Sequence, residues 1–373
     1  MNLYLDNAAT TPLSDPMKKY LSSLLDLWGN PSSLHTKGTE AKKILSGARR
    51  SVARFLHADP EHIYFMPSGS ASNTCAIRGY DAARRCTVLY SPIAHKSILE
   101  CTKDCPYSHP LKTDRHGFID LHDLEQKLAA CHFSPFVIID YANSEIGTVQ
   151  DVKRIIDLTH SFRGIVYLDC TGSIPSIPIH VQESGTDMAG FSAHKLGGLK
   201  GCGILYKKPS IALQPLIYGS QEQGLAGGTE NVLGIASAGK AVEAYDYSAI
   251  HSDGRDYFYH SIIKQIPDSY LIGAPIESGK RLPHNLYMCF RGVEGESLMI
   301  LLDMHGIQVS TGSACNGRSL SPSPALAAIG MDRQDIHSCI RFSFSGRETK
   351  EELDYACATL KRCVADLRAF HAP

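Results

Sequence analysis

The sequence predicts an α/β protein: a mainly parallel sheet covered by helices on both faces, joined to a smaller α+β unit. Three observations carry this. Between about residues 40 and 250, short runs that are apolar throughout alternate with stretches of helical periodicity. Strands apolar on both faces belong to a sheet buried on both sides, and helical connections make neighbouring strands parallel. From about residue 255 the pattern changes to a smaller mixed unit. The 373 residues, 43% hydrophobic and 20% charged, exceed one compact core and have the composition of an ordinary globular protein. Two domains are expected, residues 13–254 as the larger, and residues 1–12 with 255–373 as the smaller.

Residues 40–57 place Ile44, Ala48, Val52 and Phe55 on one helical face. Ile63–Met66 is a short apolar strand that runs into Pro67-Ser68-Gly69-Ser70-Ala71-Ser72-Asn73. A glycine there permits close backbone approach, and a helix N-terminus with hydroxyls offers donors to a phosphate. A cap and turn is the plainer reading of the same cluster. Residues 87–90 and 136–140 are further strands; the first precedes Ala94-His95-Lys96, and the second precedes Asn143-Ser144-Glu145-Ile146-Gly147. Ile165–Asp169 is an apolar run that closes on a carboxylate. Residues 187–191 lead into Ser192-Ala193-His194-Lys195, and residues 203–206 form the next strand. In Ile340-Arg341-Phe342-Ser343, alternation turns Arg341 away from its apolar neighbours, which suits a guanidinium that binds a carboxylate. Lys350–Phe370 reads as a helix with Leu353, Cys357, Leu360, Val364 and Leu367 apolar.

Lys195 and Asp169 point to chemistry. A lysine ending a buried strand is costly to desolvate unless its ammonium is neutralised or converted. A Schiff base with an aldehyde cofactor does that. Ligands of open α/β sheets sit beyond the carboxyl ends of the strands, so both residues are expected to face one crevice. An aspartate there pairs with a protonated pyridine nitrogen, which makes pyridoxal 5′-phosphate (PLP) an electron sink. Taken singly, each has a plainer reading: Lys195 as a surface lysine, Asp169 as a turn cap, His95 as structural, Asn143 and Thr229 as turn residues, Arg341 as solvent-facing.

Further motifs complete an ordered series. They are Leu5-Asp6-Asn7-Ala8-Ala9-Thr10-Thr11-Pro12, Gly29-Asn30-Pro31-Ser32-Ser33-Leu34-His35, Gly227-Gly228-Thr229-Glu230-Asn231, Glu294-Gly295-Glu296-Ser297-Leu298 and Ser310-Thr311-Gly312-Ser313-Ala314-Cys315. In this order the set resembles the cysteine desulfurases that serve iron–sulfur cluster assembly, within the class V aminotransferases, over nearly the whole chain. The resemblance implies PLP fold type I, with a mainly parallel seven-stranded sheet between helices. It implies that Lys195 carries PLP and Asp169 supports its ring nitrogen. Gly69, Ser70, Ser192 and His194 would hold the phosphate, with Thr229 reaching the phosphate of the other subunit of a homodimer. His95 would stack on the ring and move protons, Asn143 would contact the ring oxygen and the substrate carboxylate, and Arg341 would clamp that carboxylate. Cys315, in a small-residue stretch expected to be mobile, would attack the sulfur of L-cysteine and pass a persulfide to an acceptor protein.

Three stretches depart from the family pattern: Gly172 replaces a glutamine, Ser70-Ala71 replaces Thr-Glu, and Gln223 and Ala226 replace arginines. They leave open a selenocysteine lyase, another class V elimination or transamination enzyme, or a catalytically weak scaffold in a sulfur or selenium pathway. A formal net charge of -1 offers no basic field for nucleic acid or an anionic membrane. No apolar run approaches the ~20 residues of a spanning helix, and the start lacks signal-peptide features, so a cytoplasmic protein is expected. The 12 cysteines are scattered without zinc-ligand spacing. Most are expected as packed thiols, and Cys315 alone has a context that argues for chemistry.

Overall fold

The structure, a computed structural model, describes residues 1–312 and 323–370. Its strands are β1 (Leu3–Tyr4), β2 (Ile63–Met66), β3 (Cys86–Tyr90), β4 (Ser108–Pro110), β5 (Ser134–Asp140), β6 (Ile165–Asp169), β7 (Met188–Ser192), β8 (Gly203–Lys207), β9 (Ser269–Leu271), β10 (Asn285–Phe290), β11 (Ile307–Gln308) and β12 (Cys339–Ser343). Seven of them form one sheet in the order β2-β8-β7-β6-β5-β3-β4. All run parallel except β8, which lies antiparallel to both neighbours. The α/β class and the mainly parallel sheet expected from the sequence are what is observed.

The continuous apolar strands follow from burial on both faces. In β5, Val137 and Ile139 join a core with Leu89, Val166 and Leu168, while Phe136 and Ile138 join another with Val88, Tyr167 and Met188. Fully burying each such side chain stabilises the fold by about 1.5–3 kcal/mol. The helix expected over residues 40–57 spans Thr36–Phe55, because the His35 ring accepts from the Gly38 N–H at 3.4 Å and starts it earlier. It ends before His57, whose φ of 53° is left-handed.

A separate core forms around Leu5, Phe258, Leu286, Leu298, Phe342 and Leu360. It involves a three-stranded sheet, β12-β10-β9, and the parallel pair β1-β11. After β1 the chain crosses between the two regions. Ser343 N–H donates to Leu5 O at 2.7 Å, and a few residues later Thr11 Oγ1 donates to His194 O at 2.8 Å. The amino-terminal motif thus lies over the turn that carries Lys195. The helix Lys350–Phe370 has the expected bounds.

Candidate active site

A cavity of about 290 Å³ lies beyond the carboxyl ends of β2, β5, β6 and β7. Asp169, the last residue of β6, is buried in its wall. Its Oδ1 accepts from the Thr171 N–H at 2.9 Å, and its Oδ2 accepts from Asn73 Nδ2 at 2.9 Å. The Tyr167 hydroxyl donates to Asn73 Oδ1, which fixes the amide's orientation. Lys195 ends a single 3₁₀ turn, Ala193–Lys195, directly after β7. Its Nζ donates to Ala8 O and, at 2.9 Å, to Ala9 O, so the amino-terminal motif receives the ammonium. Lys195 is half-buried rather than enclosed.

The Ser/Gly cluster behaves as a helix start facing the cavity. Ser68 Oγ accepts from the Ala71 N–H at 3.1 Å and caps the helix Gly69–Ala83. The Gly69 N–H donates to Ser192 Oγ at 3.1 Å, and a Cβ at Gly69 would lie 2.4 Å from that oxygen. A side chain at residue 69 would displace the Ser192 hydroxyl from this contact between helix start and strand end. Ser70 and His194 line the same space. His194 Nδ1 lies 3.1 Å from Thr10 Oγ1, and burial, then Lys195 and Lys200, push the imidazole down to about 4, so it is neutral at pH 7.

His95 caps the helix Lys96–Lys103, its Nδ1 accepting from the Ser97 N–H at 3.2 Å. Accepting there assigns the ring proton of the neutral form to Nε2. Asn143 is closely held: Oδ1 accepts from the Glu145 N–H at 2.9 Å and the Ile146 N–H at 2.9 Å, and Nδ2 donates to Ile93 O at 2.6 Å. Arg341 crosses from β12, with Nη2 on Asp6 Oδ1 at 3.0 Å and Nη1 on Ser144 O at 3.3 Å. Its Nε is buried and has no hydrogen-bond partner among the described residues. An unpaired buried donor calls for an explanation, and the guanidinium that carries it lines the cavity.

Lys195, Asp169, His95, Asn143, Arg341, Gly69, Ser70, Ser192 and His194 therefore share one cavity. Thr229 does not; it is exposed on the loop after Gly228. Cys315 lies outside the described residues. Sequence reasoning missed Asp140, which ends β5 as Asp169 ends β6, and Asn73, which holds Asp169. It also missed the receiving carbonyls of Ala8 and Ala9. Asp140 carried the same signal as Asp169, an apolar run that closes on a carboxylate.

Two departures from the family pattern have physical causes. A Cβ at Gly172 would lie 2.6 Å from Ala142 O and 3.0 Å from Ser144 Cβ, so a glutamine needs the backbone to move. In the other loop, Glu222 is buried: it receives Arg49 through two bonds of 2.8 and 2.7 Å and the Phe65 N–H at 2.8 Å. Gln223, at φ 56°, then donates to Glu61 O at 2.9 Å and receives Tyr64 at 3.2 Å. Ala226 is buried among apolar side chains, where an arginine would bring an unpaired charge.

The model for the aminotransferase class-V family matches residues 3–356. The chain belongs to the class-V aminotransferase family. Among class-V relatives, cysteine desulfurase IscS of Dictyoglomus turgidum is 36% identical, with 98% of this chain and 95% of that one aligned. Cysteine desulfurase IscS 1 of Archaeoglobus fulgidus is 33% identical, with 98% of each chain aligned. Among solved structures, a NifS-like protein superposes with a TM-score of 0.88 at 30% identity, over 98% of this chain and 100% of that one. The structure described as SspA in complex with cysteine gives 0.80 at 26% identity, over 93% of this chain and 100% of that one.

Proposed function

We propose that this chain is a PLP-dependent cysteine desulfurase that converts L-cysteine to L-alanine and takes the sulfur as a persulfide on Cys315. The observation that carries the reading is the convergence of Lys195, Asp169 and Arg341 on one cavity. The names of the relatives, and the cysteine bound to one structural neighbour, support it. The donor set fits PLP. The Gly69 cradle with Ser70, Ser192 and His194 suits a phosphate at a helix start, and the twice-bonded Asp169 suits a ring nitrogen that carries a proton. When bound, PLP supplies an electron sink for charge developing at the substrate Cα.

The protein's own groups do the rest. Arg341 binds the substrate carboxylate through its cavity-lining guanidinium. Lys195 Nζ, released from Ala8 and Ala9 as the neutral amine, takes the Cα proton. His95 Nε2 holds a proton at the cavity mouth, and Asn143 orients the substrate from the loop after β5. The Cys315 thiolate attacks the substrate sulfur; the substrate C–S bond breaks, the new S–S bond forms, and protonation of the remaining carbon skeleton gives alanine. The division into residues 13–254, and 1–12 with 255–373, belongs to this proposal and is supported by the separate cores. So do a homodimer, a cytoplasmic setting and a sulfur-acceptor protein. Exposed Trp28, Leu34 and Tyr218, 73%, 98% and 84% accessible, and the exposed Thr229 support a partner subunit.

Product analysis tests the function. Alanine released from L-cysteine, matched by protein-bound sulfur, is the expected result; pyruvate in place of alanine would reassign the chain to elimination. Arg341→Ala is expected mainly to weaken substrate binding. Truncating one end of a buried charge-assisted pair costs about 2–5 kcal/mol, roughly 30- to 5,000-fold in affinity. The same change frees Asp6, so thermal unfolding is measured alongside. An unchanged apparent affinity for cysteine would rule out the clamp.

A further inference from the structure

We propose that Asp140 is a positioning residue that holds one proton for an Asp140–Asp169 carboxyl pair, and that loss of this proton sets an alkaline limit on the site. The two aspartates are register partners at the carboxyl ends of adjacent parallel strands, β5 and β6. Adjacent strands run about 4.7–4.9 Å apart, with partner side chains on one face. Both residues are buried, 6% and 4% accessible, and both line the cavity.

Their hydrogen bonds are unequal. Asp169 accepts from two N–H groups at 2.9 Å, Thr171 and Asn73, an arrangement made for a carboxylate. Asp140 has one donor close by, Asn143 Nδ2 at a long 3.4 Å. Two carboxylates this close in a dry site do not both ionise cheaply, and the proton falls to the one with fewer donors. The groups facing Asp140 are Asp169 from β6, the His95 ring at the start of its helix, Asn143 from the loop after β5, and Cys170 just beyond Asp169. Burial and then the Asp169 charge raise Asp140 to about 8; Asn143 and His95 oppose this without cancelling it.

Asn143 transmits the change. One Nδ2 hydrogen is spent on Ile93 O at 2.6 Å, and the other points toward Asp140 at 3.4 Å. While Asp140 is neutral it draws that hydrogen weakly and leaves the amide available to a ligand. Once ionised, it becomes a charged acceptor, about twice as strong as a neutral one, and competes for the same N–H. The carboxyl pair is a property of the bare protein; its effect on a ligand rests on the proposed PLP site.

The test has two arms. Infrared difference titration of the cofactor-free protein should show a neutral carboxylic-acid carbonyl band at pH 7 that disappears by about pH 10 and is missing from Asp140→Asn. In fluorescence titrations with PLP, wild-type affinity should fall by up to about tenfold per pH unit above the midpoint. Asp140→Asn, neutral at every pH, should lose that fall, and Asp140→Ser serves if the asparagine variant does not fold. A band that persists in the variants, or an alkaline fall identical in wild type and variants, would overturn the proposal. Wild-type protein that takes up no PLP would instead overturn the proposed function, leaving the infrared arm to decide the pair.

Discussion

Lys195→Ala is expected to be colourless after incubation with PLP and to make no alanine from L-cysteine. The visible band of a PLP enzyme comes from the covalent link between cofactor aldehyde and lysine amine, and Lys195 lines the same cavity as Asp169. Loss of a general base alone costs roughly 10²–10⁴-fold, and here the same residue also anchors the cofactor, so turnover should fall below detection. Lys96 is the other lysine among the described cavity residues, but it begins the helix at the mouth and is exposed. Lys96→Ala should therefore stay yellow. Fold stability should change little in Lys195→Ala, because the freed carbonyls of Ala8 and Ala9 lie next to a solvent-accessible cavity. A visible band unchanged in Lys195→Ala would remove the lysine from its assigned role.

What the sequence revealed and what it hid divides along a physical line. Asp169 and Lys195 were legible because an apolar run ending in one polar residue is a local pattern, and the fold class converts it to a place: the carboxyl edge of a parallel sheet. Phe136 to Asp140 has the same pattern, yet Asp140 acquires meaning only when register sets it beside Asp169, and register is not written in either strand alone. Arg341 was rightly turned from its apolar neighbours by alternation, but its partner Asp6 lies 335 residues away. The helix Lys350–Phe370 was readable from a long apolar stripe. The edge strand Ser108–Pro110 was not, because three residues that include a proline show no period. The unusual Gln221 to Ala226 stretch looked like a loss of function-bearing arginines; the structure gives Glu222 and Gln223 structural partners instead.

Cys315→Ala is expected to bind PLP and L-cysteine normally, carry no persulfide, and release little or no alanine. The steps that precede sulfur attack need Lys195, Asp169 and Arg341, none of which the substitution touches. The other cysteines make poor substitutes. Eleven are described, all free, and every one except Cys131 is buried. Burial raises Cys75 to about 11, and Cys105 and Cys202 to about 12, so each is almost wholly the thiol at neutral pH. Cys131, half-buried, is raised as well. Cys289 is drawn down by the Cys339 thiol beside it, but it has no accessible surface through which to meet a substrate. Since only the thiolate attacks strongly, a persulfide should map to Cys315 alone when intact protein and its peptides are weighed after reaction. Cys315→Ser separates nucleophile from packing: it keeps the volume but should be as inactive as alanine, because a serine hydroxyl is not ionised at neutral pH. A normal persulfide on another cysteine, with turnover retained in either variant, would show that the sulfur leaves by a different thiol.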